Sequence, residues 1–406
     1  MKFELGRHEG DAEDYTLCLN RAAAKDAPWT DAQDAILSDR GFAEARETIT
    51  RWQGYATTPL YMLHGQAAEL GIDALYYKDE APRFGLGSFK ALGGAYAVAR
   101  LLRREISEGL GREISMEEVI AGIHPKAARG VTICCATDGN HGRSVAWGAE
   151  RFGARCVIYI HATVSEGRKA AIEAYGAEVR RITGNYDDSV REAQETAARE
   201  GWFIVSDTSY PGYMEVPKDV MQGYELMAAE AFDALPEPPT HIFLQTGVGG
   251  MAASVAALAK RRWGRDRPVV VLADPDLAAC WVETYRAGAP RVVAGDLDTM
   301  MAGLACGEIS ALAWEILETH ADAAMAVPDG SAIRDMRALA YPAGDDPALI
   351  AGESAVAGLS ALRAARADPD AAIALSLARD ARVLIFGTEG DTDPELYARI
   401  MAEEAA

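Results

Sequence analysis

The chain has 406 residues, of which 49% are hydrophobic and 25% charged, so it is long enough and apolar enough for two domains. Its formal net charge of −21 argues against nucleic acid as a partner, because binding to phosphate backbones requires a basic surface. The first residues are too polar for a signal sequence, and no apolar run approaches the length of a membrane span. We therefore expect a cytoplasmic protein with no membrane partner.

Before residue 130 the sequence alternates polar loops with short regular elements. We predict helices over 31–49, 67–71 and 88–108, and a strand over 74–77. Residues 109–129 form a polar insert. Within this insert Ser115 and Glu118 have the spacing of a capping box, which predicts a short helix directly after Ser115.

From residue 131 onward short apolar runs alternate with amphipathic segments. The predicted strands are 131–136, 154–160, 178–182, 202–205, 241–244, 269–272 and 382–386. The predicted helices are 142–152, 165–175, 188–200, 220–232, 251–263, 312–320, 332–340 and 353–367. Strands that alternate with helices in this way are typical of βαβ units, so the predicted fold class is α/β with parallel-sheet domains.

The six cysteines show none of the spacings that metal sites use. They stand at positions 18, 134, 135, 156, 280 and 306, with no Cys-x-x-Cys pattern. We therefore expect buried thiols and no bound metal. The sequence alone does not decide whether Cys280 and Cys306 form a pair.

A lysine stands where a glycine-broken loop meets the start of a predicted helix. The segment is Asp79-Glu-Ala-Pro-Arg-Phe-Gly-Leu-Gly-Ser-Phe-Lys90, and it follows the predicted strand 74–77. Because the N-terminal end of a helix is the positive end of its dipole, a cation is unusual at this position. Lys90 is therefore a candidate nucleophile that could form an imine with an aldehyde cofactor. The alternative is an ordinary surface lysine.

Three further loops directly follow predicted strands, at the edge where open α/β sheets bind their ligands. They are Ala136-Thr-Asp-Gly-Asn-His-Gly-Arg143, Gln245-Thr-Gly-Val-Gly-Gly-Met251 and Gly387-Thr-Glu-Gly-Asp-Thr-Asp393. Each loop is open to a structural alternative. Asp138, for example, could be a plain N-cap, and the Asp-Gly-Asn segment a plain turn.

The second of these loops is a glycine-rich turn that opens a predicted helix, so its main-chain N–H groups could bind a phosphate. A dinucleotide site, as in an NAD-dependent oxidoreductase, is the competing interpretation. Gly247, Gly249 and Ala252 resemble Gly-x-Gly-x-x-Ala. Asp274 stands about where a ribose-binding acid would follow. This interpretation leaves the lysine loop without a role.

Six motifs, spread over most of the chain, occur in an order typical of one enzyme family. They are Arg83-Phe-Gly-Leu-Gly-Ser-Phe-Lys90-Ala-Leu-Gly-Gly, Ala136-Thr-Asp-Gly-Asn-His-Gly-Arg143, Asp207-Thr208, Met221-Gln-Gly-Tyr224, Met301-Ala-Gly-Leu-Ala-Cys-Gly-Glu308 and Thr388-Glu-Gly-Asp-Thr-Asp393. Together with the glycine-rich turn they resemble the fold type II pyridoxal-phosphate enzymes, and within that family the diaminopropionate ammonia-lyases. Asp138 stands where the generic dehydratases of the family have a serine.

The resemblance implies a pyridoxal 5'-phosphate cofactor. Lys90, next to Phe89, would form the imine, and Asn140 would hydrogen-bond the phenolic oxygen of the ring. Thr388 would face the pyridine nitrogen as a neutral partner. Five residues would bind the phosphate with main-chain N–H groups: Gly247, Val248, Gly249, Gly250 and Met251.

The resemblance also implies a substrate and a reaction. Asp138, on the face of the cofactor away from Lys90, would be a second base, so that both enantiomers react. Asp207 would add charge complementarity for a small amino acid with two ammonium groups, although an Asx turn with Thr208 is an equal alternative. The implied reaction is the α,β-elimination of D- and L-2,3-diaminopropionate to pyruvate and ammonia. A serine/threonine dehydratase acting on a related β-substituted amino acid is the alternative.

Domain organisation and assembly follow from the same resemblance. The implied fold has two domains with the cofactor in the cleft between them. We expect a large cofactor-binding domain of residues 1–100 and 210–406, and a smaller α/β domain of residues 101–209. Dimers are common in the family, so we expect a homodimer.

Overall fold

The computed structural model of the protein describes residues 4–5, 15–137, 139–162, 164–184 and 186–402. The chain divides into two compact units. Unit 1 consists of Met1–Ile36, Thr57–Pro82 and Met227–Ala406, and unit 2 of Leu37–Ala56 and Arg83–Leu226. Within the described ranges, no helix is both long enough and apolar enough to cross a membrane.

Every strand and helix predicted after residue 131 is confirmed, with ends that shift by a few residues. The strands of the described residues are β1 (Glu4–Leu5), β2 (Thr16–Leu19), β3 (Leu60–Met62), β4 (Ala74–Asp79), β5 (Thr132–Ala136), β6 (Arg155–Ile160), β7 (Glu178–Arg181), β8 (Phe203–Ile204), β9 (His241–Gln245), β10 (Val269–Pro275), β11 (Ala323–Val327) and β12 (Arg382–Gly387). The α-helices are α1 (Asp31–Asp34), α2 (Asp39–Thr50), α3 (His64–Leu70), α4 (Lys90–Leu110), α5 (Met116–Ile120), α6 (Pro125–Gly130), α7 (Asn140–Phe152), α8 (Glu166–Glu173), α9 (Tyr186–Glu200), α10 (Glu215–Ala234), α11 (Gly250–Trp263), α12 (Cys280–Ala287), α13 (Ala311–His320), α14 (Asp329–Ala340), α15 (Ala357–Ala367), α16 (Pro369–Ala374) and α17 (Pro394–Ala402).

Unit 1 contains an eight-stranded sheet in the order β1-β2-β11-β10-β9-β12-β4-β3. Its five central strands, from β11 to β4, are parallel, which confirms the predicted sheet type. Towards the two edges, β2 pairs antiparallel with β11, and β3 with β4. Strands as short as β2 and β3 do not show a two-residue period, so the sequence does not predict them. The sequence also fails to predict β11, because its alanines favour a helix.

The central strands of unit 1 are buried on both faces, which explains their unbroken apolar sequences. All five residues of β9 and of β11 are buried. Helix α15 packs directly against β9, where a Cβ on Gly358 would lie 3.0 Å from the main-chain oxygen of Phe243. Such close packing holds the carboxyl ends of the strands, and the loops that follow them, in fixed positions.

Unit 2 contains a four-stranded parallel sheet in the order β7-β6-β5-β8. Helices α4 and α7 pack closely through small residues, since a Cβ on Gly148 would lie 2.7 Å from Cα of Ala95. Because α4 packs against α7, it belongs to unit 2 together with the residues that follow it. The predicted large domain includes segments that belong to unit 2 in the structure: 37–56, 83–100 and 210–226.

Side-chain caps explain where two of the helices begin. The sequence predicts one helix over 31–49, but the structure has two, because the Ser38 side chain accepts a hydrogen bond from the N–H of Gly41 and starts α2. The predicted capping box in the insert is confirmed. Oγ of Ser115 lies 3.2 Å from the N–H nitrogen of Glu118, and Oε2 of Glu118 lies 2.8 Å from that of Ser115.

Candidate active site

Lys90 lies where the loop meets the helix, as predicted, and α4 begins at this residue, two positions later than expected. The loop before it is conformationally constrained. Phe84 has a φ of +53°, in the left-handed region, which costs an ordinary residue about 1–2 kcal/mol. Contacts to α7 offset this cost. The ring of Phe84 lies 5.0 Å from that of Trp147, and Nη1 of Arg143 donates to the main-chain oxygen of Leu86 at 2.9 Å. The loop therefore presents the lysine in a defined position.

The ammonium of Lys90 forms an ion pair with Asp207, which lies in the loop after β8. Nζ and Oδ2 are 2.7 Å apart, and both side chains are 21% exposed. Burial by itself would raise the pKa of the Asp207 carboxyl, but the positive charge of Lys90 holds this pKa below its ordinary value. Next to this pair, the N–H of Thr208 donates to Oγ of Ser206 at 3.3 Å.

His141, in the first turn of α7, connects that helix to the end of β8. Its Nε2 lies 2.9 Å from the main-chain oxygen of Val205, which can only accept, so Nε2 carries the ring hydrogen. Nδ1 is then the unprotonated nitrogen, and it lies 3.8 Å from Oδ2 of Asp207. Burial lowers the pKa of His141, so the ring is neutral at neutral pH. We call Lys90, Asp207 and His141 the lysine region.

Two aromatic rings flank the ammonium of Lys90. Nζ lies 5.3 Å from the ring centroid of Phe89 and 5.8 Å from that of Tyr224, distances that allow cation–π attraction. The two rings are 4.7 Å apart. Burial raises the pKa of the Tyr224 hydroxyl, which therefore stays protonated at neutral pH. Tyr224 lies in a motif that the sequence singles out, but the sequence assigns it no role.

The turn after β5 carries two other predicted residues. Asn140 is the first residue of α7 and is half-buried. Asp138, the predicted second base, lies outside the described residues. On either side of it, the N–H of Gly139 donates to Oγ1 of Thr137 at 3.4 Å.

In unit 1 the glycine-rich turn, residues 246–251, connects β9 to α11. Gly249 has a φ of +96°, and a Cβ there would overlap the indole of Trp281. In the described part of the chain, no main-chain N–H of residues 247–251 donates a hydrogen bond to another protein group. Several unused donors at the start of a 14-residue helix are suited to binding an anion.

Asp274, at the end of β10, is the acid that a dinucleotide site would use for a ribose. The residue is 0% exposed, and its oxygens accept from Oγ1 of Thr246 at 2.6 Å and from the N–H of Trp281 at 2.8 Å. Burial raises the pKa of its carboxyl to about 7. Asp274 connects the glycine-rich turn to α12 and is not accessible to a ribose, so the dinucleotide interpretation is not favoured.

Thr388 directly follows β12, next to the end of β9. These strands are parallel neighbours, so Thr388 and the glycine-rich turn lie at the same edge of the sheet, as predicted. Nε2 of Gln245, the last residue of β9, donates to Oγ1 of Thr388 at 2.7 Å. Unit 1 therefore has the hydroxyl of Thr388 and the main-chain donors of the glycine-rich turn at one edge of its sheet.

Comparison with known proteins identifies the family. The model of the family described as pyridoxal-phosphate dependent enzyme matches residues 51–385. The chain belongs to this family. It is similar to the diaminopropionate ammonia-lyase of Escherichia coli (strain K12), with 39% identity over 365 residues, which are 88% of this chain and 90% of that protein.

Solved structures of the family are similar over nearly the whole chain. Two crystal structures of the Escherichia coli diaminopropionate ammonia lyase each have 35% identity and cover 96% of this chain and 97% of theirs. The complex with D-serine has a TM-score of 0.86. The complex with an aminoacrylate-PLP azomethine reaction intermediate has a TM-score of 0.85. The predicted family, its fold type II architecture and its cofactor are thus confirmed.

The groups present in each unit fit the cofactor of this family. Unit 2 supplies the amine of Lys90, which can react with an aldehyde. Unit 1 supplies main-chain donors for a phosphate and the hydroxyl of Thr388 for a ring nitrogen. The sequence analysis did not predict that two buried side chains of unit 1 support these groups. Gln245 contacts Thr388, and Asp274 contacts the glycine-rich turn. For Gln245 the only available signal is a polar residue at the end of an apolar strand.

Proposed function

We propose that this protein is a diaminopropionate ammonia-lyase that acts on D- and L-2,3-diaminopropionate. Loss of the α-proton and the β-amine gives 2-aminoacrylate, which reacts with water to form pyruvate and a second ammonia. The observation that carries the proposal is the 2.7 Å ion pair between Lys90 and Asp207, in a family whose cofactor reacts with amines. The 39% identity to an enzyme of this name supports it.

The lysine region provides the reacting amine. When bound, pyridoxal phosphate supplies an aldehyde that reacts with amines and a conjugated ring that accepts the electrons left at Cα. Lys90 would hold the aldehyde group through Nζ, and its free amine would take the α-proton of the substrate. Asp207 orients Nζ through its 2.7 Å contact. Phe89 packs beside the same nitrogen.

The remaining predicted residues bind the other groups of the cofactor. The main-chain N–H groups of residues 247–251 bind the phosphate at the start of α11. Asn140 would donate to the phenolic oxygen, and Thr388 would meet the pyridine nitrogen as a neutral partner. A neutral partner limits how many electrons the ring withdraws, which favours elimination over transamination.

Asp138 is proposed to be the second base. Its carboxylate would take the α-proton of the enantiomer that Lys90 does not deprotonate, or would protonate the departing β-amine. Asp138→Asn removes this base and should reduce turnover of one enantiomer much more than that of the other. Equal losses on both enantiomers would contradict the two-base proposal.

Charge complementarity supports diaminopropionate as the substrate. It carries two ammonium groups where serine carries one, and the carboxylates of Asp207 and Asp138 favour the additional positive charge. The test measures pyruvate release from both enantiomers of diaminopropionate, with D- and L-serine as controls. We expect much faster turnover of diaminopropionate. Comparable turnover of serine would reassign the protein to the general dehydratases.

Location and assembly complete the proposal. We propose a cytoplasmic protein, since all six cysteines are thiols in the described part of the chain. We also propose a homodimer, on the resemblance to a family in which dimers are common. Light scattering of the purified protein tests the second point, and a mass of one chain would contradict it.

A further inference from the structure

We propose that Gln245 sets the direction of the hydroxyl hydrogen of Thr388, so that this hydroxyl donates to the pyridine nitrogen of the cofactor. The nitrogen then stays unprotonated. The inference rests on the proposed function, in which Thr388 faces that nitrogen. It adds Gln245 as a positioning residue that acts through Thr388.

The orientation of the Gln245 amide follows from its neighbours. One amide atom lies 2.7 Å from the main-chain oxygen of Phe386, 2.7 Å from Oγ1 of Thr388 and 3.3 Å from the main-chain oxygen of Ala355. Main-chain oxygens can only accept hydrogen bonds, so the amide atom that faces two of them must be the donor Nε2. The flipped amide would place an oxygen against two carbonyl oxygens.

The two hydrogens of Nε2 account for its two short contacts. Oγ1 of Thr388 must therefore accept one of them, and the single hydroxyl hydrogen of Thr388 cannot point back towards the amide nitrogen. That hydrogen remains to be donated elsewhere. Gln245 is 3% exposed and Thr388 is 4% exposed. Bulk water therefore does not compete for the hydrogen bond between these two side chains.

The direction of this hydrogen decides the charge of the ring. A threonine hydroxyl is far too weak an acid to transfer its proton to a pyridine nitrogen, so as a donor it leaves the nitrogen neutral. With the hydrogen reversed, the oxygen would instead accept from a protonated nitrogen. A neutral ring stabilises a carbanion less strongly, which favours a reaction in which the β-amine leaves with the electrons.

The test uses holoenzyme loaded with pyridoxal phosphate that carries ¹⁵N in the ring. The nitrogen chemical shift distinguishes a protonated, a hydrogen-bonded and an unbonded pyridine nitrogen. In the wild type we expect the shift of an unprotonated, hydrogen-bonded nitrogen. Gln245→Met removes both donors at similar size, so the hydroxyl hydrogen of Thr388 is no longer held in one direction. The shift should move towards the unbonded value, and the cofactor should bind about tenfold more weakly.

A second variant and a matched control complete the design. Gln245→Glu introduces an oxygen that can accept from Thr388 and should move the shift in the same direction. Gln33 is another buried glutamine of unit 1, and its Nε2 donates to the main-chain oxygen of Glu315 at 2.9 Å and to Oγ1 of Thr319 at 3.4 Å. Gln33→Met should keep the wild-type shift and cofactor affinity.

The outcomes separate this inference from the proposed function. A pyridinium shift in the wild type would overturn the inference without any variant, and so would unchanged shifts in both Gln245 variants. A wild-type protein that binds no cofactor, or shows no visible absorbance from the lysine–cofactor bond, would instead contradict the proposed function.

Discussion

The lysine region of unit 2 and the glycine-rich turn of unit 1 are built by different physical means. The lysine region uses charged side chains, with Lys90 and Asp207 in an ion pair at 2.7 Å. The glycine-rich turn uses the main chain, whose conformation depends on the left-handed Gly249 and on the indole of Trp281, which donates to the oxygen of Gly247 at 3.0 Å. The function of the lysine region should therefore be sensitive to changes of charge, and that of the glycine-rich turn to changes of side-chain size.

Removing the charged amine should have the largest effect. In Lys90→Ala we expect no visible absorbance from the lysine–cofactor bond and an elimination rate lower by at least about 10²–10⁴-fold, because both the covalent anchor and the base are lost. Absorbance spectra and pyruvate release measure this. Lys169, which pairs with Glu173 on the surface of α8, provides the control as Lys169→Ala. A variant at position 90 that keeps the band and its turnover would contradict the assignment.

Neutralising the carboxylate should have the next largest effect. Asp207→Asn keeps the size of the side chain but removes the charge that faces Lys90. We expect kcat/KM for diaminopropionate to fall about 10–100-fold, the cost of one charge-assisted hydrogen bond, and by less for serine. The control is Asp233→Asn, since Asp233 pairs with Arg262 in an exposed position. Equal losses on both substrates would remove Asp207 from substrate selection.

A change of shape in the glycine-rich turn should affect cofactor binding. Gly249→Ala combines left-handed strain of about 1–2 kcal/mol with overlap of Trp281, so the turn must move. We expect cofactor affinity to fall by about tenfold or more. Gly288 is the matched control, because it has a φ of +69° with open space around it. Gly288→Ala should lower Tm and leave the affinity unchanged. Similar cofactor affinities in the Gly249 and Gly288 variants would show that the conformation of the glycine-rich turn does not determine cofactor binding.

The smallest expected effect concerns pH and Asp274, which supports the glycine-rich turn. Its pKa of about 7 exceeds that of an unfolded aspartate, so the folded protein holds this proton more tightly. The resulting stabilisation is complete below about pH 4 and is lost as pH rises to about 7. Asp274→Asn removes this dependence. As the pH rises through this range, the free energy of unfolding of the variant should increase relative to that of the wild type by up to about 1.4 kcal/mol per pH unit.

Urea unfolding at several pH values between 4 and 8 measures this difference. The exposed Asp266 is the control, because Asp266→Asn should run parallel to the wild type throughout. A constant difference between the Asp274 variant and the wild type would show that the carboxyl has an ordinary pKa.

Much of the architecture is predictable because it depends on local patterns. The alternation of apolar runs and amphipathic segments predicts most of the strands and helices found after residue 131, but it misses β11, α12, α16 and α17. The capping box at Ser115 is likewise a local signal. The helix break at Ser38 was missed because the apolar period continues through it, while the hydroxyl of Ser38 caps a new helix.

By itself, the sequence determined the family, the cofactor class and the lysine at the start of α4, since motifs and periods lie within short stretches of chain. Only the tertiary structure decided how these residues are supported. Lys90 meets Asp207 across 117 positions, and Gln245 meets Thr388 across 143. Such pairs leave no periodic signal, because the packing of strands and helices brings them together. The lysine is visible in the sequence, while the orientation of its partners depends on the fold.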